Sequence, residues 1–265
     1  MKIIEFIGLP GSGKSTTLNK IKLYSHDYKK NSYTYKNFLF NFYKKKNNKK
    51  IIFFIIKKLN TSIFLDHRNK DYIKNKFKNF YINILIQIIL LTFKNSKEYL
   101  LYKTYKRILN FSAHSSQRVK RMEVYFLLKV LSFKLSKKLN SKKYCILDDE
   151  GFYQNLIIKY KNFKVNKKKI FQEIIRYINL SPKPNFLVIV INKNEEIIKR
   201  ANSRAIGYKY HEDDLVNKLE NWNQVKTFLI DSINNKNVKL VRFNNYNNFD
   251  KSEIQKLLNK LDNSY

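Results

Sequence analysis

The chain has 265 residues, 43% of them hydrophobic and 15% aromatic, enough to bury one sizeable core. Its formal net charge is +34, which directs attention to nucleic acid or an anionic membrane. One cysteine, Cys145, excludes an intramolecular disulfide and a cysteine-rich metal site, and the four histidines lack zinc-ligand spacing.

The charge is distributed rather than focused. Lysine, Asn, Ile, Tyr and Phe are abundant throughout and all have A/T-rich codons, so base composition accounts for much of the basicity. The lysines form no single patch, which argues against specific nucleic-acid binding. No hydrophobic run reaches the length of a membrane span: Tyr81 to Phe93 contains Asn83 and Gln87, and Ile51 to Ile56 is shorter still. Both read as buried helix segments. A lysine-rimmed helix lying on an anionic membrane surface is the alternative. The first apolar run is too short for a secretory leader, so the expected location is cytoplasmic.

Lys2 to Ile7 is apolar and β-branched, the pattern of a buried parallel strand, with Glu5 as a satisfied polar residue near its end. Next comes Gly8-Leu9-Pro10-Gly11-Ser12-Gly13-Lys14-Ser15, which satisfies G-x-x-x-x-G-K-[ST], the P-loop; Thr16 follows. Inward-pointing amides hold a phosphate only where no Cβ blocks the approach, and glycine also adopts positive φ. Lys14 then reaches the β- and γ-phosphates, and the Ser15 hydroxyl ligates Mg²⁺. Ser15 to Tyr24 carries Leu18 and Ile21 at helical spacing, so strand, loop and helix come in the required order. The implied ligands are ATP and Mg²⁺, held by Gly8, Pro10, Gly11, Ser12, Gly13, Lys14, Ser15 and Thr16.

Asn31 to Tyr43 is aromatic-rich and could hold a second strand. From Ile51 to about Leu139 the chain lacks proline and glycine and reads as helical. The expectation is one domain over 1–265 with a helical insertion at about 45–140. Arg118 and Arg121, three apart, are candidates for holding an anionic acceptor; surface arginines are the plainer reading.

A strand at Tyr144 to Leu147 ends in Asp148-Asp149-Glu150-Gly151. Open parallel sheets bind ligands beyond the carboxyl ends of their strands. A carboxylate there can hold the water shell of Mg²⁺ or polarise an attacking hydroxyl. Asp148 and Asp149 both compete for that position, and Asp149 is favoured, with Glu150 beside the metal, a water or the acceptor. A solvated turn with a helix N-cap is the alternative. Helical texture follows from Phe152 to about Asn179, interrupted by Lys167 to Lys169.

Phe186 to Ile191 is the clearest strand, after the break Ser181-Pro182-Lys183-Pro184. Glu195 to Arg204 reads as a helix with Arg200 and Arg204 on one face, and Gly207 follows. Permanently charged guanidinium groups suit a transferring phosphoryl group. A helix over Asp213 to Ile233, a strand over Val238 to Phe243 and a helix over Ser252 to Leu261 close the chain. Alternating strands and helices imply an α/β fold: a parallel sheet of about five strands with helices on both faces.

The pattern resembles the P-loop kinases of the nucleoside monophosphate kinase group, thymidylate kinase-like in particular. The likeness rests on GLPGSGKST at 8–16, DDEG at 148–151, and PNFLVIVI at 184–191 followed by NEEIIKRANSR at 194–204. The closing strand and helix at 238–261 are the fourth piece, so the likeness covers the start of the chain and most of 117–261. The resemblance implies ATP-dependent phosphoryl transfer, with Arg200 and Arg204 on a lid that closes over ATP. That family's acidic motif usually reads Asp-Arg, whereas here Glu150 follows Asp149; Arg118 or Arg121 would compensate in holding an acceptor phosphate. Residues 25–116 match no part of the pattern, and the acceptor site would be built there.

Three functions follow as expectations. The first is a kinase for a small-molecule acceptor, with Lys14, Asp149, Glu150, Arg200 and Arg204 as catalytic groups and Ser15 and Asp149 on the metal. The second is an ATPase or NTP-driven switch whose helical insert binds a partner. The third is a basic nucleotide-binding protein associated with nucleic acid or a membrane surface.

Overall fold

A computed structural model describes residues 2–9, 11–33, 86–111 (except 88 and 92), 116–138, 145–148, 151–157, 167–203, 212–234, 238–245 and 251–262. The chain divides into two compact units. One comprises residues 1–33, 111–113 and 142–265, and the other comprises 34–110 and 114–141.

The first unit is an α/β structure around a parallel sheet. Its centre is β1 (Lys2–Ile7), flanked by β3 (Cys145–Asp148) and β4 (Phe186–Ile191). Lys2 pairs with Cys145 and Glu5 with Asp148 on one side; Ile4 pairs with Phe186 and Ile7 with Ile189 on the other. Outside these lie the two-residue β2 (Ser32–Tyr33) and β5 (Lys239–Asn244), in the order β2-β3-β1-β4-β5, all parallel. β4 reads FLVIVI and is buried for its first five residues, as a strand covered on both faces must be. From Val241 onward β5 alternates, burying Val241 and Phe243 and exposing Arg242 and Asn244, the pattern of an edge strand with one covered face.

One face of the sheet packs Ile4, Phe6, Val188, Val190, Val241 and Phe243 against α1 (Lys14–Tyr24) and α9 (Lys251–Asp262). α1 supplies Leu18 and Ile21; α9 supplies Ile254, Leu257, Leu258 and Leu261, at the spacing of one helical stripe. α2 (His26–Asn31) follows α1, and Tyr28 donates its hydroxyl to Asp262. On the opposite face, α5 (Gln154–Ile157) packs on β1, α8 (Glu212–Asn234) touches α5, and α6 (Lys167–Leu180) touches α8. Phe171 of α6 meets Phe228 of α8 with ring centroids 5.2 Å apart. α7 (Asn194–Ser203) follows β4 directly.

Most elements lie within a residue or two of the expected bounds. Two readings are revised. Lys167 to Lys169 do not interrupt a helix; they form the first turn of α6. Positive charge at that end is unfavourable, but Ile170, Ile174, Tyr177 and Ile178 are all buried along one stripe, and burial of that stripe dominates. Glu5 is not near the end of its strand: it is the fourth of the six residues of β1 and only 2% exposed.

The second unit contains α3 (Lys97–Asn110) and α4 (Ser116–Lys138). Leu101, Tyr102, Tyr105, Ile108 and Leu109 form the buried stripe of α3. Tyr105 stacks on Phe126 of α4, with centroids 3.9 Å apart. Tyr102 donates its hydroxyl to the buried Glu123, which also pairs with Lys106 at 3.5 Å. In the apolar run Tyr81 to Phe93, Ile86, Ile89 and Phe93 are buried whereas Leu91 is 71% exposed. Ile51 to Ile56 lies outside the described residues. Among the described residues, no helix is long and apolar enough to cross a membrane.

Candidate nucleotide-binding site

The loop between β1 and α1 lies at the carboxyl end of the central strand. Gly11 and Gly13 have φ of 93° and 95°, the left-handed region that a Cβ disfavours. Gly13 is the N-cap of α1, without a side-chain cap, and no acidic residue occupies the first turn. The positive end of the helix dipole is therefore presented to the loop without a neutralising carboxylate in that turn. Thr17 anchors the turn, donating both its N–H and its hydroxyl to the Gly13 carbonyl, at 2.8 and 3.0 Å.

Lys14 folds back across the loop. Its ammonium donates to the carbonyls of Gly8, at 2.7 Å, and Leu9, at 3.3 Å. Ser15 and Thr16 are exposed, whereas Ser12 is buried and its Oγ has no hydrogen-bond partner among the described residues. A buried hydroxyl left in that state costs about 1–3 kcal/mol.

Three neighbours fix the loop. From the start of α5, the Gln154 carboxamide brackets Gly8: Oε1 accepts the Gly8 N–H at 2.8 Å and Nε2 donates to the Gly8 carbonyl at 2.9 Å. After β5, the buried Asn245 donates Nδ2 to the Ser12 carbonyl at 2.8 Å, and its own N–H to Ile191 at 2.7 Å. On α7, the Ile197 carbonyl lies where a Cβ on Gly11 would come within 2.6 Å. Gly11→Ala therefore meets both a disfavoured φ and a backbone oxygen. It is expected to destabilise the protein by about 2 kcal/mol, read from chemical unfolding.

Behind the loop, the Glu5 carboxylate accepts the Gln154 N–H at 2.9 Å. Gly151 lies against it, and a Cβ there would come within 2.0 Å of Glu5 Cδ. Tyr153 is fully buried; burial, and then the nearby Glu5 carboxylate, push its phenol well above the usual range. Tyr177 braces the same turn, donating its hydroxyl to the Phe152 carbonyl at 3.0 Å.

No protein-family model matches the chain, and no curated protein is similar to it.

Of the residues expected from sequence, Gly8, Gly11, Ser12, Gly13, Lys14, Ser15 and Thr16 lie together in this loop and the first turn of α1. Pro10, Asp149, Glu150, Arg204 and Gly207 lie outside the described residues. β3 ends at Asp148, two residues before Glu150 and directly beside the P-loop strand. Arg200 is half-buried on α7, three residues beyond Ile197, and its Nε pairs with Glu196 at 3.2 Å. Arg118 and Arg121 are on α4, in the other unit. Gln154, Asn245 and Glu5 were not expected. Only Glu5, a charged residue within an apolar strand, gave a local signal.

Proposed function

We propose that this protein is an ATP-dependent phosphotransferase acting on a small-molecule acceptor, built as a P-loop kinase with a helical insertion. The observation that carries the reading is the loop itself. Two left-handed glycines, a lysine ammonium held over the loop carbonyls and an exposed serine opening the helix match the needs of a triphosphate. Lys14 binds the β- and γ-phosphates. In this reading the Ser15 hydroxyl, exposed at the head of α1, and Asp149 would hold Mg²⁺, which when bound neutralises charge on the phosphates.

Two placements favour transfer to an acceptor. β3 lies directly beside β1 and ends at Asp148, the residue before Asp149 and Glu150 in the sequence. In this reading a carboxylate of Asp149 or Glu150 orients an acceptor hydroxyl or phosphate. Arg200 is on the helix that backs Gly11, one turn beyond the contact. Its Nε is taken by Glu196, and its terminal nitrogens supply the remaining guanidinium donors.

The test is ADP formation by the purified chain with Mg·ATP against a panel of nucleosides, nucleoside monophosphates and sugars. The reading expects release that depends on one acceptor class. Steady release that ignores every acceptor would instead favour an ATPase, and failure to bind Mg·ATP would remove both.

A further inference from the structure

Gln154 belongs to none of the sequence motifs, yet it is fully buried and makes three hydrogen bonds around the P-loop. Its side chain bridges the two peptide units that flank the Gly8 Cα, and its main-chain N–H is tied to Glu5 in the central strand. The Gly8 carbonyl has two lone pairs. It accepts from Gln154 Nε2 at 2.9 Å and from the Lys14 ammonium at 2.7 Å.

We propose that Gln154 is a positioning residue for triphosphate binding, aiming Lys14 through the carbonyl of Gly8. Glycine leaves the two peptide planes that meet at its Cα weakly restrained. The carboxamide grips the N–H of one plane and the carbonyl of the next, so neither φ nor ψ of Gly8 can change much without breaking a buried hydrogen bond. The carbonyl direction is thereby fixed, and with it the resting place of the ammonium. A free lysine loses up to about 2 kcal/mol of rotamer freedom on being ordered. Holding the ammonium over the loop beforehand removes part of that cost from ligand binding. Glu5 extends the brace, because a Gln154 main chain tied to β1 keeps the carboxamide in register with the loop.

The proposal rests on the triphosphate reading of the loop, and a double-mutant cycle separates the two. Mg·ATP affinity is measured by calorimetry on the full chain for wild type, Gln154→Met, Lys14→Met and the double variant. Acting through Lys14, Gln154→Met weakens Mg·ATP about tenfold in the wild-type background. It has less than about a twofold effect once Lys14 is gone. Equal losses in both backgrounds would mean that Gln154 only supports the fold, and would overturn the proposal, as would an unchanged affinity in Gln154→Met. Should Gln154→Met not fold, the same cycle with Gln154→Glu decides, since that side chain keeps an acceptor for the Gly8 N–H and loses the donor to its carbonyl. A wild-type chain that does not bind Mg·ATP overturns the triphosphate reading and this proposal together. A wild type that binds, with additive variants, overturns this proposal alone.

Discussion

Gly151→Ala is expected to lower the unfolding free energy by about 4 kcal/mol, a large share of the stability of an ordinary domain. The added Cβ would lie 2.0 Å from Glu5 Cδ, 2.3 Å from Cγ and 2.4 Å from Oε1. A surface glutamate would swing away at little cost. Glu5 cannot, because it is 2% exposed in the central strand, between two hydrogen-bonded neighbours. Moving it releases the Gln154 N–H that Oε1 accepts, at about 1–3 kcal/mol for a buried donor left unpaired. Crowding the turn against β1 adds about 1–3 kcal/mol. The effect is steric, and a second variant isolates it. In a Glu5→Ala background the same glycine substitution should cost less than about 1 kcal/mol, because the obstructing carboxylate is gone. Urea unfolding of the four proteins measures this coupling, and equal costs in both backgrounds would contradict it.

Gly151 also shows which features were legible in the sequence. Its place after an acidic strand end was readable, and it pointed to a site. Its physical reason, room for a carboxylate 146 positions earlier in the chain, was not readable. Local chemistry is written in consecutive residues: the glycines and Lys14 of the loop, the unbroken apolar run of β4, the helical stripe of α9. Those elements form where expected because propensity, pattern and burial agree. Gln154 and Asn245 carry no such mark. Each acts on a loop far away in sequence, and what makes them important is the sheet order that brings the ends of β3 and β5 to the sides of the P-loop. Glu5 was visible as an anomaly, but its partner was not. The lysines opening α6 misled for the opposite reason, since a local charge run suggested a break that the buried stripe behind it overrides.

Lys14→Met is expected to weaken Mg·ATP binding by about 100-fold or more while leaving the fold intact. The stem of the side chain keeps nearly the same length and apolar character, so packing around the loop changes little. The lost group is an ammonium that donates to the Gly8 and Leu9 carbonyls at 2.7 and 3.3 Å. Gly8 retains its donor from Gln154, so its carbonyl keeps a partner and the loop should hold its shape. The loss therefore falls mainly on the ligand. Charge-assisted hydrogen bonds are worth about 1.5–3 kcal/mol each, and two of them, to the β- and γ-phosphates, convert to about 100-fold to 10,000-fold in affinity. The discriminating measurement compares ATP with AMP. A lysine that acts on the distal phosphates should change ATP affinity steeply and AMP affinity by less than about threefold. Parallel losses for both nucleotides would mean that the ammonium serves the loop rather than the phosphates, and the assignment of Lys14 to the β- and γ-phosphates would have to be given up.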